Sequence, residues 1–501
     1  MDWHAILDGF AVALQFHNVV NLFIGVFLGT VIGVLPGIGP ATGVALLIPL
    51  TFGMDPTSSL IMMAGVYYGA MYGGSTSAIL INTPGDASAI MTTIDGHKMA
   101  LKGRGGAALA IAAIGSFFAG TVCTLLLTVL AQPLANLALK FGPAEYFALM
   151  VFALSAVTSL SGASLAKGLM ATAFGLMLST VGMDLQTGVQ RFTFGSPALM
   201  DGIDFLVVVV GLFAVSEVLL NMERVAKGEL RQPLKSGRVW LTREEWRQAW
   251  PAILRATPIG FLVGALPGAG GTVASILSYT VEKRISKTPE RFGEGAIEGV
   301  AGPETANNAS SVGAMIPLLS LGVPGSGTTA VMLGALMMFG LRPGPLLFHE
   351  QPHLVWGLID SMYLGNLILL ILNLPLVGIF VKLLEVPMKI LNPVILALAF
   401  IGIYSINYSV SDLFLVAIFG VLGYLMKKVD VPTAPMVLAL ILGYTMEQSF
   451  RQALQASRGS LAIFVSSPIA VALLLLAAAA VIIPIVTARR TGTVVVEEAE
   501  S

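Results

Sequence analysis

A seven-residue phrase occurs twice in this chain. Gly33-Val34-Leu35-Pro36-Gly37-Ile38-Gly39 returns as Gly264-Ala265-Leu266-Pro267-Gly268-Ala269-Gly270, 231 residues later. Each copy lies inside a long apolar run. Proline removes a backbone donor and clashes with the preceding turn, so a helix entering the phrase must kink or end there. The glycines let the backbone turn and come close to its neighbours. A second break follows each copy, at Thr83-Pro84-Gly85-Asp86 and at Val323-Pro324-Gly325-Ser326. Paired interruptions at corresponding places in two halves are the sequence mark of a transporter binding site built from discontinuous helices.

The surroundings of those breaks set the class. Of 501 residues, 56% are hydrophobic and 11% charged, where a soluble domain carries about 25% charged. Mean hydropathy is +0.86, and several apolar stretches exceed the roughly 20 residues that span a bilayer. The expected fold is an all-α polytopic membrane protein of about 12–14 membrane segments, broken or re-entrant helices included. The 55 glycines and 26 prolines suit close-packed, interrupted helices better than barrel strands. The single Cys123 excludes an intramolecular disulfide and a cysteine-rich metal site. The start, Met1-Asp2-Trp3-His4, lacks the basic n-region of a cleaved signal peptide.

Taken in order, residues 5–20 are expected to form an amphipathic or first membrane helix. Residues 21–52 form one kinked helix or two arms of a re-entrant hairpin. Further helices are expected over 58–82, 107–131, 145–160, 165–182 and 203–222, with polar loops at 95–106 and 183–200. The segment 223–257 carries Arg224, Lys227, Arg231, Lys235, Arg238, Arg243, Arg247 and Arg255 and is assigned to the cytoplasm by the positive-inside rule. In it, Thr242 and Glu245 have capping-box spacing, so a short helix begins there. Trp240, Trp246 and Trp250 beside it are expected as interfacial anchors. Residues 258–281 have positive flanks on both sides and are expected to dip into the membrane and return. After the polar stretch 292–311 come apolar pieces at 312–323 and 328–341. Helices are then expected near 354–384, 390–407, 411–426, 432–446 and 463–487. The organisation is a first transmembrane half (1–222), a cytoplasmic amphipathic loop (223–257), a second half (258–488) and a disordered tail (489–501). Positive charge follows the second break in the first half, at Lys98–Arg104, but flanks the first break in the second half. That swap predicts two inverted-topology repeats.

Half-helices starting at the breaks present unpaired N–H groups and positive dipole ends, a ready site for carboxylates. The expected substrate-binding residues are Gly37, Gly39, Thr42, Ser75, Thr76, Asn82, Thr83 and Gly85 in the first half. In the second they are Gly268, Gly270, Thr272, Asn307, Asn308, Gly325, Ser326, Gly327 and Thr328. The alternative reading of many of these hydroxyls and amides is local capping. Asp86 and Glu304 are the acidic residues nearest the breaks and the candidates for a coupling cation or proton, with an N-cap as the alternative role. Na+ is the only metal expected, and no cofactor. Gly37 to Gly43 has the wrong glycine spacing for a nucleotide loop and no Gly-Lys-Ser/Thr follows. His4, His17, His97, His349 and His353 are all placed outside the central helices, so Ser75 or Ser77 has no base. No enzyme is expected.

These residues carry a resemblance. Gly33 to Gly39, Tyr67-Tyr68-Gly69-Ala70-Met71-Tyr72-Gly73-Gly74-Ser75, Thr83 to Asp86, Gly264 to Gly270 and Leu321-Gly322-Val323-Pro324-Gly325-Ser326 resemble the large membrane permease subunit of tripartite tricarboxylate transporters. The likeness runs from about residue 15 to about 485. It implies a multi-pass permease of the bacterial inner membrane, working with a small transmembrane subunit and a periplasmic solute-binding protein. It implies uptake of citrate or a related di- or tricarboxylate by symport with Na+ or H+, and no nucleic acid. A passive anion channel or an assembly subunit is the alternative.

Overall fold

The computed structural model describes residues 3–160, 164–184, 186–228 and 233–491. The described chain is helical almost throughout; the extended structure among those residues is one two-residue hairpin. The first two helices, α1 (Trp3–Ala13) and α2 (Phe16–Val34), replace the single segment expected over 5–20. The Leu-Pro-Gly phrase ends α2, and α3 (Pro40–Leu47) starts with proline in its first turn, where the missing N–H costs nothing. Helix α4 (Pro56–Ile81) is buried along nearly its whole length and stops at Asn82, in left-handed backbone. Helix α5 (Ile90–Leu101) occupies much of the expected loop 95–106. That expectation fails because Asp95 is not a surface charge. It is buried, accepting the N–H groups of Gly293, Gly295 and Ala296 and the hydroxyl of Tyr279.

The 34-residue α6 (Gly105–Ala138) follows, then α7 (Pro143–Leu160), α8 (Leu165–Ser179) and the hairpin of β1 (Gly182–Met183) with β2 (Gln190–Arg191). Helix α9 (Phe205–Val209) passes through a π-helical stretch, Val210–Val215, into α10 (Ser216–Ala226). Helix α11 (Arg243–Gly264) opens on the expected Thr242–Glu245 capping box but is not short. It runs through Pro251 and Pro258 to the second Leu-Pro-Gly phrase. After the phrase come α12 (Gly270–Ile285), α13 (Glu298–Gly313), α14 (Met315–Leu321) and α15 (Gly327–Met338). The polar stretch 292–311 is thus mostly helix. Beyond the short α16 (Leu347–Glu350), Pro375 splits the expected helix 354–384 into α17 (Pro352–Asn373) and α18 (Val377–Leu383). The last elements are α19 (Met388–Asn407), α20 (Val410–Lys428), α21 (Thr433–Ala456), α22 (Ile463–Ser466) and α23 (Pro468–Thr491). Helix α23 thus takes in the start of the expected tail; residues 492–501, like Arg231, lie outside the described residues.

Eight helices among the described residues are long and apolar enough to cross a membrane: α2, α6, α7, α9 with α10, α17, α19, α20 and α23. Two compact units divide the chain, Met1–Leu139 with Ile203–Leu425 and Lys140–Gly202 with Met426–Ser501. The smaller is sealed by Phe147, Phe450 and Phe464, whose ring centroids lie 4.9–5.4 Å apart. There Thr158 and Thr172 share a 2.6 Å hydrogen bond between α7 and α8. Its hairpin is tied to α21 by Asp184, Arg191, Glu447 and Arg451.

The larger unit contains both breaks, and its packing repeats. Helices α2 and α4 touch backbone to backbone: a Cβ at Gly29 would meet Val66 O at 2.4 Å, and one at Gly33 would meet Ala70 O at 2.2 Å. Helices α11 and α13 do the same, with Gly260 against Ala306 O and Gly264 against Ser310 O, both at 2.2 Å. Small residues permit this approach, and dispersion then holds the helices together. On the α2/α11 side the paired residues differ by 231, and on the α4/α13 side by 240. The offset of 240 also pairs Gly73 with Gly313, Gly85 with Gly325 and left-handed Asn82 with left-handed Gly322. The doubled phrase is therefore the visible part of a doubled helix–break–helix motif, with nine extra residues in the second copy.

Candidate functional site

Each Leu-Pro-Gly phrase is stitched to its own second break. The N–H of Gly37 donates to Pro84 O (3.2 Å), and that of Gly268 to Gly325 O (3.0 Å). Gly37 and Gly268 have φ of +78° and +79°, a turn that side chains with a Cβ resist. Four short elements begin at these stitches: α3 after Gly39, the 3-10 turn Ala87–Ala89 after Asp86, α12 at Gly270 and α15 after Ser326.

The starts converge. A Cβ on Gly39 would lie 2.8 Å from Asp86 Oδ1, one on Gly270 would lie 3.9 Å from Ser326 Cβ, and one on Gly271 would lie 2.9 Å from Ser88 Cβ. Tyr67 from α4 shares a 3.2 Å hydrogen bond with Ser326, which links the two copies directly. Ser326 forms a capping box with Thr329. Asp86 caps the turn at Ala87, accepting Ser88 N–H at 3.1 Å and Ser88 Oγ at 2.5 Å.

Glu304 is placed quite differently. It lies mid-helix in α13 and is fully buried. Ser75 Oγ donates to Oε2 at 2.5 Å, Thr92 Oγ1 donates to Oε1, and Asn307 Nδ2 reaches Oε2 at 3.5 Å. Asn308 Nδ2 donates to Ser116 Oγ (2.7 Å) and to Glu304 O (3.2 Å). Two cavities of about 10 Å³ adjoin this network. One is lined by Tyr72, Ser75, Thr76, Ser116 and Asn373, the other by Tyr68, Thr124, Asn308 and Asn366. The Tyr68 hydroxyl and Asn373 Oδ1, one in each lining, have no protein partner. A volume of about 10 Å³ is at the lower limit for a single water.

The structure thus brings together Gly37, Gly39, Gly85, Gly268, Gly270, Gly325 and Ser326 at the breaks, and Ser75 and Thr76 of α4 with Glu304, Asn307 and Asn308 of α13. Gly327 and Thr328 form the first turn of α15, and Thr272 is half-buried in that of α12. Others serve local structure: Asn82 ends α4, Thr83 Oγ1 donates to Ile81 O, and Thr42 Oγ1 donates to Phe213 O in the π-helical stretch. The histidines lie in α1, α2, α5, α16 and α17, and His4, His17, His349 and His353 are exposed. His97 sits in α5 with Nδ1 on Ile79 O; Ser75, the serine a hydrolase would use, instead faces Glu304. Of the three tryptophans, Trp250 packs on Phe118 and stacks with Trp246, while Trp240 is exposed.

Sequence reasoning missed Thr92, Ser116 and Tyr67. It also missed one face of α10: Glu217, Asn221 and Arg224. The face was legible as polar residues spaced i, i+4 and i+7 in an otherwise apolar span.

Comparison with known proteins bears on the whole arrangement. The chain is 48% identical over 466 residues, 93% of each chain, to an uncharacterized 52.8 kDa protein of the TAR-I ttuC' 3' region of Agrobacterium vitis. An uncharacterized protein of the TAR-II ttuC' 3' region of the same organism is 48% identical over 215 residues, covering 43% of this chain and 89% of the relative. No solved structure matches. The profile of the tripartite tricarboxylate transporter TctA family matches residues 19–438, both breaks included. This multi-pass membrane protein belongs to the TctA family, the large subunits of tripartite tricarboxylate transporters.

Proposed function

We propose that the chain is the membrane permease of a binding-protein-dependent secondary transporter, importing citrate or a related di- or tricarboxylate. The observation that carries this reading is the convergence of four element starts on the two stitched breaks. N–H groups at helix starts attract anions, each contributing about 0.3–1 kcal/mol where solvent screens them and more where it does not. The starts of α3 and α12 carry no side-chain cap, and two such starts suit a ligand with several carboxylates better than a ligand with one.

Glu304 supplies the coupling in this reading. A buried carboxyl ringed by hydroxyl and amide groups offers the oxygen donors that Na+ needs, or a group that takes up a proton. Na+ or H+ entering down its gradient drives import, with no cofactor and no catalysis by this chain. Asp86, which caps a turn, is a second and weaker candidate for the same role. The charge swap around the breaks makes the two copies inverted in the membrane, with the halves 1–222 and 258–488 joined by a cytoplasmic loop, 223–257. The partners are a small transmembrane subunit and a periplasmic solute-binding protein, in the bacterial inner membrane.

The test is uptake of radiolabelled citrate into proteoliposomes holding the chain with both partners, without ATP. An imposed Na+ or H+ gradient is switched on and off. Accumulation only with a gradient is the expected result and names the ion. Equilibration without accumulation refutes symport in favour of a passive path. Absence of uptake across a panel of di- and tricarboxylates refutes the substrate class.

A further inference from the structure

Helix α10 lays three polar side chains along the first Leu-Pro-Gly break. Glu217 Oε1 and Arg224 Nη1 lie 2.3 Å and 3.0 Å from where a Cβ on Gly37 would stand. Asn221 Nδ2 reaches Pro36 O at 3.4 Å. These residues are spaced i, i+4 and i+7, so one helical face presents them together. The face is aimed by what precedes it. The π-helical stretch Val210–Val215 adds a residue to the turn just before α10, and Thr42 of α3 anchors that stretch through the Phe213 carbonyl. Such bulges rotate everything after them and recur at functional sites.

Arg224 is held loosely. Its nearest carboxylate contact, Glu217 Oε1, is 3.9 Å away, and its hydrogen bond to Asn221 Oδ1 is 3.4 Å long. Its side chain is 40% exposed, against 9% for Glu217. A guanidinium placed at a long ion-pair distance keeps its planar donor fork available, and that fork matches a carboxylate in bidentate fashion. Beside it, the break offers the start of α3. A cavity of about 450 Å³, lined by Leu35, Pro36, Ile81, Pro233 and the Leu383–Met388 link, opens on the same break.

The geometry points to Arg224 as a substrate-binding residue: it receives one carboxylate of a multi-carboxylate anion at Gly37, and Glu217 is the internal anion that the ligand displaces. This rests on the transport reading above and adds a specificity determinant to it. A ligand with one carboxylate satisfies either the helix starts or Arg224, whereas a di- or tricarboxylate engages both, so Arg224 discriminates by carboxylate count.

The experiment titrates citrate, and separately acetate, into the full-length chain in lipid nanodiscs, reading ligand-induced change in Tm and tryptophan emission. Wild type, Arg224→Gln, Arg224→Lys and Glu217→Gln are compared. Arg224→Gln is expected to weaken citrate binding at least tenfold, Arg224→Lys to recover part of that loss, and the acetate response to change less than the citrate response. Glu217→Gln removes the competing anion and is expected to tighten citrate several-fold. Wild-type citrate affinity in Arg224→Gln overturns the inference and leaves the transport reading standing. Should Arg224→Gln fail to fold, unchanged or weaker citrate binding in Glu217→Gln overturns it instead. A wild-type chain that responds to no di- or tricarboxylate overturns the transport reading, and the inference with it.

Discussion

Gly85→Ala is the sharpest perturbation of the doubled motif. A Cβ there would sit 1.9 Å from the carbonyl oxygen of Gly33 and 2.8 Å from the Cα of Gly74. Real Cβ atoms essentially never approach closer than 3.0 Å, so the break must retreat by about 1.1 Å. Neither obstacle is a side chain that can change rotamer. Gly33 has no slack either, since its own missing Cβ already lies 2.2 Å from Ala70 O. Overpacking of this kind costs about 1–3 kcal/mol. The retreat also pulls Pro84 O from the half-buried Gly37 N–H, and leaving that donor unpaired costs about 1–3 kcal/mol more. Together the change is expected to destabilise by about 2–6 kcal/mol. The corresponding Gly325→Ala meets Gly264 O at 2.7 Å, a milder clash, and Gly378→Ala has nothing within 4 Å. Thermal unfolding in nanodiscs, followed by tryptophan emission, should rank the variants Gly85→Ala, Gly325→Ala, Gly378→Ala from most to least damaged. Wild-type Tm in Gly85→Ala, or a greater loss in Gly378→Ala, would refute the reasoning.

Glu304→Gln removes the acid and turns one of the two acceptor oxygens that Ser75 and Thr92 address into an N–H donor, so a bound cation loses both charge and an oxygen ligand. The ion concentration for half-maximal uptake should therefore rise at least tenfold, while Asp86→Asn, which changes a cap, should shift it less; the reverse order sinks the assignment of Glu304. Gly37→Val and Gly268→Val place a branched side chain at φ near +78° and should abolish uptake with membrane insertion intact, as measured by transport and by surface labelling. In the hairpin, the Gln186 N–H and then the Arg451 guanidinium hold the Asp184 carboxyl down at about 2. The folded value is depressed, so its stabilising contribution is complete above about pH 4, the unfolded range, and is lost as pH falls toward 2. Proteolysis of the loop 180–204 should accelerate across that window in wild type, and Asp184→Asn should be equally sensitive on both sides of it.

The sequence by itself determined where the helices break and that they break twice. Proline and glycine act on their own backbone, and where they stand together, at Pro36-Gly37, Pro84-Gly85, Pro267-Gly268 and Pro324-Gly325, the helix ends; an apolar chain with 11% charge that is rich in glycine and proline is read as membrane helices rather than barrel strands. Local chemistry also made the Thr242–Glu245 capping box legible. It did not reveal how far helices run past such marks: α11 continues through two prolines because its packing on α13 outweighs them. Nor did it separate the roles of Asp86 and Glu304, the acids nearest the breaks. One proves to be a cap satisfied by Ser88 two residues away. The other is buried by Ser75 and Thr92, more than 200 residues distant in the chain. Whether a carboxyl is a cap or a buried ligand depends on which helices surround it, and the same holds for Asp95 and for the α10 face on Gly37. Those pairings come from backbone-to-backbone seams between small residues. Such seams fix helices at close quarters, and a single stretch of chain does not reveal which other stretch will lie against it.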